Sequence, residues 1–312
     1  MTSAAITHFD GDPVTLNYWL YLYDKYWRDE VDKVYLVLSY NPEISVPEII
    51  AFNKKVISQY SNIILIETTI PTIPEIGNKM AVEQAKEDLL FFIESDGLIF
   101  GKGLVKEHLD MIREDKCDIV GGDYTLLPEP LATDLNFRGL MRNFLFCKRE
   151  DFMRTDLYFL PYMYGDIPLD CFGWISLQLR QQNPRINYVP HNCLHPSREM
   201  DMGLYQKYKW LHIRQMSSST LGIGTDKGGF IDWMNRDPYS VGTIRGTVLR
   251  GNHAEWTYMK AVAFKSLMLE RMDNSILGFI PMYRDTLDFV ISALDLNITH
   301  INKVMNFYRN LL

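Results

Sequence analysis

Long apolar runs are missing from this 312-residue chain. Nothing approaches the ~18 uninterrupted apolar residues that a membrane-spanning helix needs, so no transmembrane segment is expected. Met1 to Asp10 contains no Lys or Arg and no extended apolar core. The features of a secretory signal are therefore lacking, and an intracellular, cytoplasmic protein is the expectation. Cysteine is scarce: Cys117, Cys147, Cys171 and Cys193 are scattered without C-x-x-C spacing. That pattern argues against a disulfide framework or a zinc ribbon and for reduced thiols. Low-complexity tracts and internal repeats are also absent. With 47% hydrophobic and 23% charged residues, an ordered protein with a large core is expected.

Positive charge is in short supply overall, the formal net charge being −7, but it is unevenly spread. Residues 1–200 carry 19 Lys/Arg against 29 Asp/Glu, whereas residues 207–271 carry 10 against 5. A basic bias confined to one segment fits either solvated surface or an anionic partner.

The most informative stretch is Leu89-Leu90-Phe91-Phe92-Ile93-Glu94-Ser95-Asp96-Gly97. Five apolar residues predict a strand buried on both faces, and the two acids fall where it ends. Ligands of open α/β sheets bind beyond the carboxyl ends of the strands. Two carboxylates placed there repel unless a cation lies between them, and a divalent metal meets that need. Two solvated acids in a polar turn is the bland alternative.

Around this stretch, strands and helices alternate. Strands are predicted at Ala5–Phe9, Val34–Ser39, Ile63–Glu67, Asp118–Tyr124 and Ile186–Pro190. Helices are predicted from Val14 to Trp27, over 46–60, from Met80 to Asp88, from Leu104 to Glu114 and from just after Asp170 to near Gln182. Gly77-Asn78-Lys79 falls at the end of a loop just before the helix from Met80, where backbone amides meet phosphate or merely begin a helix. Such alternation argues for a parallel sheet with right-handed crossovers. Beyond residue 200 it stops: 203–216 reads as helical, 217–256 is rich in Gly, Ser and Thr, and helices follow near 255–272, 282–294 and 298–311.

Over residues 4–196 the ordered set resembles the GT-A glycosyltransferases, particularly the broad family-2 type. The features are the strand ending in Thr7-His8-Phe9-Asp10 and the Gly77-Asn78-Lys79 helix with Ala81 and Ala85. Glu94-Ser95-Asp96 is similar to the D-x-D motif in an E-x-D form. The paired glycines Gly121-Gly122, the stretch from Phe146 to Phe152, and the Asp170 helix leading to Tyr188-Val189-Pro190 complete the set. The resemblance implies an α/β GT-A catalytic domain over residues 1–200, a mixed sheet flanked by helices. It leaves a mainly helical C-terminal extension, 201–312, for acceptor binding.

That resemblance also implies chemistry: transfer of a hexosyl or pentosyl group from a nucleotide-sugar, most often UDP-linked, to a hydroxyl acceptor with the help of Mn²⁺ or Mg²⁺. It points to Asp96 as metal ligand, Glu94 as metal or ribose contact, and His195 (or His191) completing the metal sphere. Donor contacts would come from Thr7, His8, Phe9, Asp10, Ser39, Asn78, Lys79, Glu94 and Ser95. For an inverting reaction the base would be Asp170, placed just before a helix where the dipole favours a carboxylate, or Asp166. The family's usual Glu-Asp pair before that helix is missing. The acceptor stays open among a glycan, a lipid-linked intermediate, a protein and a hydroxylated base in DNA, the basic bias of 207–271 keeping a polyanion in view. Two other classes compete. A nucleotidyltransferase would carry a Gly-rich basic loop after the first strand, where this chain has the acidic Asp10-Gly11-Asp12-Pro13. A catalytically inactive binding module of the same fold would need none of the acids.

Overall fold

Described in the computed structural model are residues 1–9, 11–40, 47–69, 74–122, 144–155, 162–164, 167–169, 171–183, 185–191, 209–212, 252–271, 284–285, 287–288, 291–292 and 295–312. Strands β1 (Ser3–Phe9), β2 (Lys33–Ser39), β3 (Ile63–Thr68), β4 (Leu89–Ile93), β6 (Ile119–Gly122), β7 (Phe144–Lys148) and β10 (Tyr188–His191) form one sheet in the order β10-β6-β7-β4-β1-β2-β3. Every neighbouring pair is parallel except those of β7, which runs antiparallel to both β4 and β6. The sheet is therefore mixed and flanked by helices. Two further pairs are small: β5 (Gly97–Ile99) with β11 (Trp210–His212), and the hairpin of β8 (Tyr162–Tyr164) and β9 (Ile167–Leu169).

The centre of the sheet follows from its sequence. In β4, Leu89, Phe91 and Ile93 face one apolar cluster, while Leu90 and Phe92 face the other. A strand covered on both faces has no use for the alternation of a half-exposed one. Phe91 stacks on Phe146 of β7 with centroids 4.1 Å apart, which fixes the register of the antiparallel neighbour.

Helix α1 (Pro13–Leu22) carries the aromatic residues that cover one face. It ends earlier than the predicted Trp27, the chain continuing as a π-turn (Tyr23–Trp27) and a short 3-10 turn (Arg28–Glu30). The widened turn keeps Trp19, Tyr23 and Trp27 in one column, with Trp19 stacked on Tyr23 and Trp27 edge-on to Phe91. Helices α2 (Pro47–Ile57), α3 (Pro74–Gln84), α4 (Leu104–Arg113), α5 (Arg149–Phe152) and α6 (Cys171–Gln182) complete the layers. The N-terminus of α4 is held from outside, Glu30 accepting the amides of Gly103 at 2.5 Å and Lys106 at 3.0 Å.

Two further expectations are corrected. Helix α3 starts at Pro74, not Met80. A proline suits the first helical position because its missing N–H is not needed there. Residues 210–212 are a strand rather than part of a helix, paired with β5, which no sequence-based expectation covered. Among the C-terminal helices, α7 (Asn252–Arg271) and α8 (Ile298–Leu311) fall close to their predicted ranges. The described residues between 284 and 292 are helical. Ala261, Phe264, Met268 and Tyr308 of α7 and α8 belong to the same apolar cluster as Val14 and Tyr18 of α1. Among the described residues no helix is long and apolar enough to cross a membrane.

Candidate functional site

Six strands run the same way, so their carboxyl ends share one edge of the sheet. Phe9, Ser39, Thr68, Ile93, Gly122 and His191 end β1, β2, β3, β4, β6 and β10 there. Ser39 is directly opposite Thr68, and both are buried. From Ile93 the chain turns through Glu94-Ser95-Asp96, closed by the Gly97 amide donating to the Glu94 carbonyl at 2.9 Å. Glu94 is half-buried, whereas Ser95 and Asp96 are buried. A buried aspartate at the end of a central strand is unlike the solvated turn acid of the bland reading. The turn is held on its far side by the β5–β11 pair, which places His212 of β11 opposite Gly97 in the ladder.

At the end of β1 the side chains alternate between faces. Thr7 lies on the face of Ala5 and Phe9, buried, its hydroxyl without a hydrogen-bond partner among the described residues. Phe9 is buried edge-on against Trp19 at 5.7 Å, so its ring is a core group. His8 lies on the opposite face, beneath α3. Burial pushes its imidazole down to about 4, so the ring is neutral at physiological pH.

Gly77 explains how α3 comes so near. A Cβ at this position would stand 2.4 Å from Cδ2 of His8 and 3.2 Å from Cγ1 of Val37. The glycine is needed for approach of helix to sheet, not for a loop. Because α3 already encloses it, the amides of Asn78 and Lys79 lie inside the helix, where i→i−4 bonds use them. The expected phosphate-binding amides before a helix are thus not formed by Gly77-Asn78-Lys79. The Asn78 side chain is buried, and the half-exposed Lys79 pairs with Glu83 at 3.9 Å.

The loop after β1 is anchored more firmly than its sequence suggested. Gly11 takes a φ of 89°, the left-handed region open to glycine. Its carbonyl accepts from the buried Asn53 amide of α2 at 2.8 Å. Asp12 caps α1, accepting from the Val14 amide at 3.0 Å and the Thr15 hydroxyl at 2.6 Å. From α7, Lys265 reaches this cap, forming an ion pair with Asp12 and donating to Thr15 Oγ1 at 2.9 Å. Only 1% of the Lys265 side chain is exposed, and burial pulls its ammonium down to about 7. This buried lysine carried no signal in the sequence, because its partner lies 253 positions away.

The remaining sequence-based candidates, Asp10, Asp166, Asp170 and His195, lie outside the described residues. Helix α6 does begin at Cys171, immediately after Asp170 in the chain. No three His, Cys, Asp or Glu side chains gather in a metal-holding group among the described residues. The basic bias of 207–271 is smaller at the surface than by count, because Lys260 and Lys265 are buried.

No protein-family model matches the chain, and no curated protein matches it in sequence. Among solved structures, it is similar to GalNAc-T7 with UDP, GalNAc and Mn²⁺, at 12% identity and a TM-score of 0.43. That match covers 60% of this chain and 41% of the other, so this chain spans well under half of that protein's length. It is also similar to the mannosyltransferase PcManGT from Pyrobaculum calidifontis in complex with GDP-Man and Mn²⁺. There the identity is 12%, the TM-score 0.43, and the coverage 99% of this chain and 84% of the other.

Proposed function

We propose that the protein is a metal-dependent glycosyltransferase that moves a sugar from a nucleotide-sugar, a UDP-sugar in this reading, to a hydroxyl acceptor. One observation carries the reading: Glu94-Ser95-Asp96 turns at the carboxyl end of central strand β4, with Asp96 buried, beside the ends of β1 and β2. Carboxylate oxygens suit a hard divalent cation, Mn²⁺ or Mg²⁺, and leave coordination positions for phosphate oxygens. In this reading Asp96 is the principal ligand and Glu94 a ligand or ribose contact, with His195 or His191 as a further ligand. Bound there, the cation would neutralise charge on the diphosphate leaving group. The ends of β1 and β2, with Thr7, His8 and Ser39, would lie along the nucleoside, and Asn78 and Lys79 beside the donor.

The reaction breaks the bond between the sugar's anomeric carbon and the β-phosphate oxygen and forms one to the acceptor oxygen. The acceptor proton passes to a carboxylate, Asp170 or Asp166, and the nucleoside diphosphate leaves. A base must come within hydrogen-bond reach of the hydroxyl. Inversion at the anomeric carbon follows from this single displacement. The 201–312 segment is assigned to acceptor binding, and a polyanionic acceptor is one member of the class.

Titration calorimetry of UDP with and without Mn²⁺ tests the donor site. Wild type is expected to bind UDP in a Mn²⁺-dependent way and to release UDP slowly from a UDP-sugar. Asp96→Ala is expected to lose both. Mn²⁺-dependent binding retained in Asp96→Ala overturns the assignment, and pyrophosphate released from a nucleoside triphosphate would favour a nucleotidyltransferase instead.

A further inference from the structure

We infer that Lys265 is a positioning residue for the donor pocket: from the C-terminal helix it fixes the β1–α1 loop whose entry lines that pocket. The inference rests on the donor site proposed above. It adds that residues far beyond the first 200 determine donor affinity.

The geometry has three parts. First, Lys265, Asp12 and Thr15 form one closed cluster, all three side chains buried. A lysine so enclosed keeps its charge out of water only by its contacts with the carboxylate and hydroxyl. Second, Asp12 already has a local task, capping α1 through the Val14 amide and Thr15 hydroxyl. That cap would be complete without Lys265, so the lysine adds a tether rather than filling a vacant bond. Third, the tether acts on a short segment with few degrees of freedom. Gly11 is fixed on one side by Asn53 and Asp12 on the other by Lys265, directly after β1 ends at Phe9. Clamping both sides leaves the strand end beside Glu94-Ser95-Asp96 in one conformation, and ordering before binding raises affinity without any new ligand contact.

A structural role alone would lower stability and leave affinity untouched, so affinity at a temperature where every variant is folded is the deciding measurement. Lys265→Met strands a buried carboxylate and is expected to melt lower. In the double variant Asp12→Asn with Lys265→Met the cap is kept and both charges are gone, so folding is retained. In that protein the Kd for UDP with Mn²⁺ is expected to rise about tenfold, the scale of one well-made buried hydrogen bond. The KM for UDP-sugar hydrolysis should rise in parallel, with kcat changing less than about threefold. In wild type, UDP with Mn²⁺ should slow amide hydrogen exchange both in 9–16 and in 260–268, a measurement that needs no variant. An unchanged Kd in the folded double variant, or protection of 9–16 without 260–268, overturns the inference. Failure of wild type to bind UDP or GDP with Mn²⁺ would instead overturn the donor site itself.

Discussion

Adding one methyl group at Gly77 separates two opposed effects whose signs differ. Gly77 lies inside α3 and is not among the positive-φ residues, so Gly77→Ala should favour the helix by about 0.5–1 kcal/mol. Against that, the new Cβ would stand 2.4 Å from Cδ2 of His8 and 3.2 Å from Cγ1 of Val37. The first distance is below any that real Cβ atoms show. Its partner is a ring enclosed in the core, so helix and sheet must separate or His8 must leave its rotamer. Overpacking of this kind costs about 1–3 kcal/mol. The net expectation is a loss of roughly 1–2 kcal/mol, a fall in Tm on the order of 2–4 °C for a chain of this size. Thermal unfolding followed by circular dichroism measures it. His8→Ala opens the space, so the same methyl should cost less in that background, with a coupling of about 1 kcal/mol in the double-mutant cycle. A Tm for Gly77→Ala equal to or above wild type would refute the reasoning, since helix propensity would then be the larger effect.

Acid should destabilise the protein through His8. Its folded pKa, about 4, lies below the usual 6.5, so the unfolded state binds the extra proton between these values. The stabilisation is complete above pH 6.5 and is lost as pH falls towards 4, by about 3 kcal/mol. Urea unfolding at pH 7 and pH 4.5 should show a steeper loss in wild type than in His8→Gln, and equal losses would exclude His8 as the source. Glu30→Ala removes the acceptor for the Gly103 and Lys106 amides and should cost about 1 kcal/mol. The urea midpoint should fall with the slope unchanged; an unmoved midpoint would mean that water replaces the carboxylate at no loss.

The parts of the fold legible in the sequence were those specified by short-range pattern. Leu89–Ile93 reads as a doubly buried strand because five apolar residues in a row fit little else of that length, and it is one. The alternation through Ile186 likewise needs only local periodicity. Illegible were features specified by distant partners. Gly97–Ile99 is a strand only because Trp210–His212 pairs with it across more than a hundred residues, and three residues are too few to carry a pattern. Gly77 misled by its type: a glycine after a Pro-containing loop reads as a helix boundary, whereas here it marks a close contact with His8. The place of Glu94 and Asp96 just past the end of β4 was legible because a strand end is a local event. Lys265 was not, because its partner Asp12 lies 253 positions away in the chain.

The reversed direction of β7 has a consequence for how the protein can vary. Since β7 is antiparallel, Phe144 enters the sheet opposite Ile93, at the edge where β6 leaves at Gly122. Gly122 and Phe144, which residues 123–143 connect, therefore both lie at the rim that bears Glu94-Ser95-Asp96. Doubling the length of such a connection costs only about 0.6 kcal/mol in closure entropy. Insertions and deletions can accumulate there while every strand register stays fixed. One sheet can thus accept a connection of many lengths between the same two strand ends.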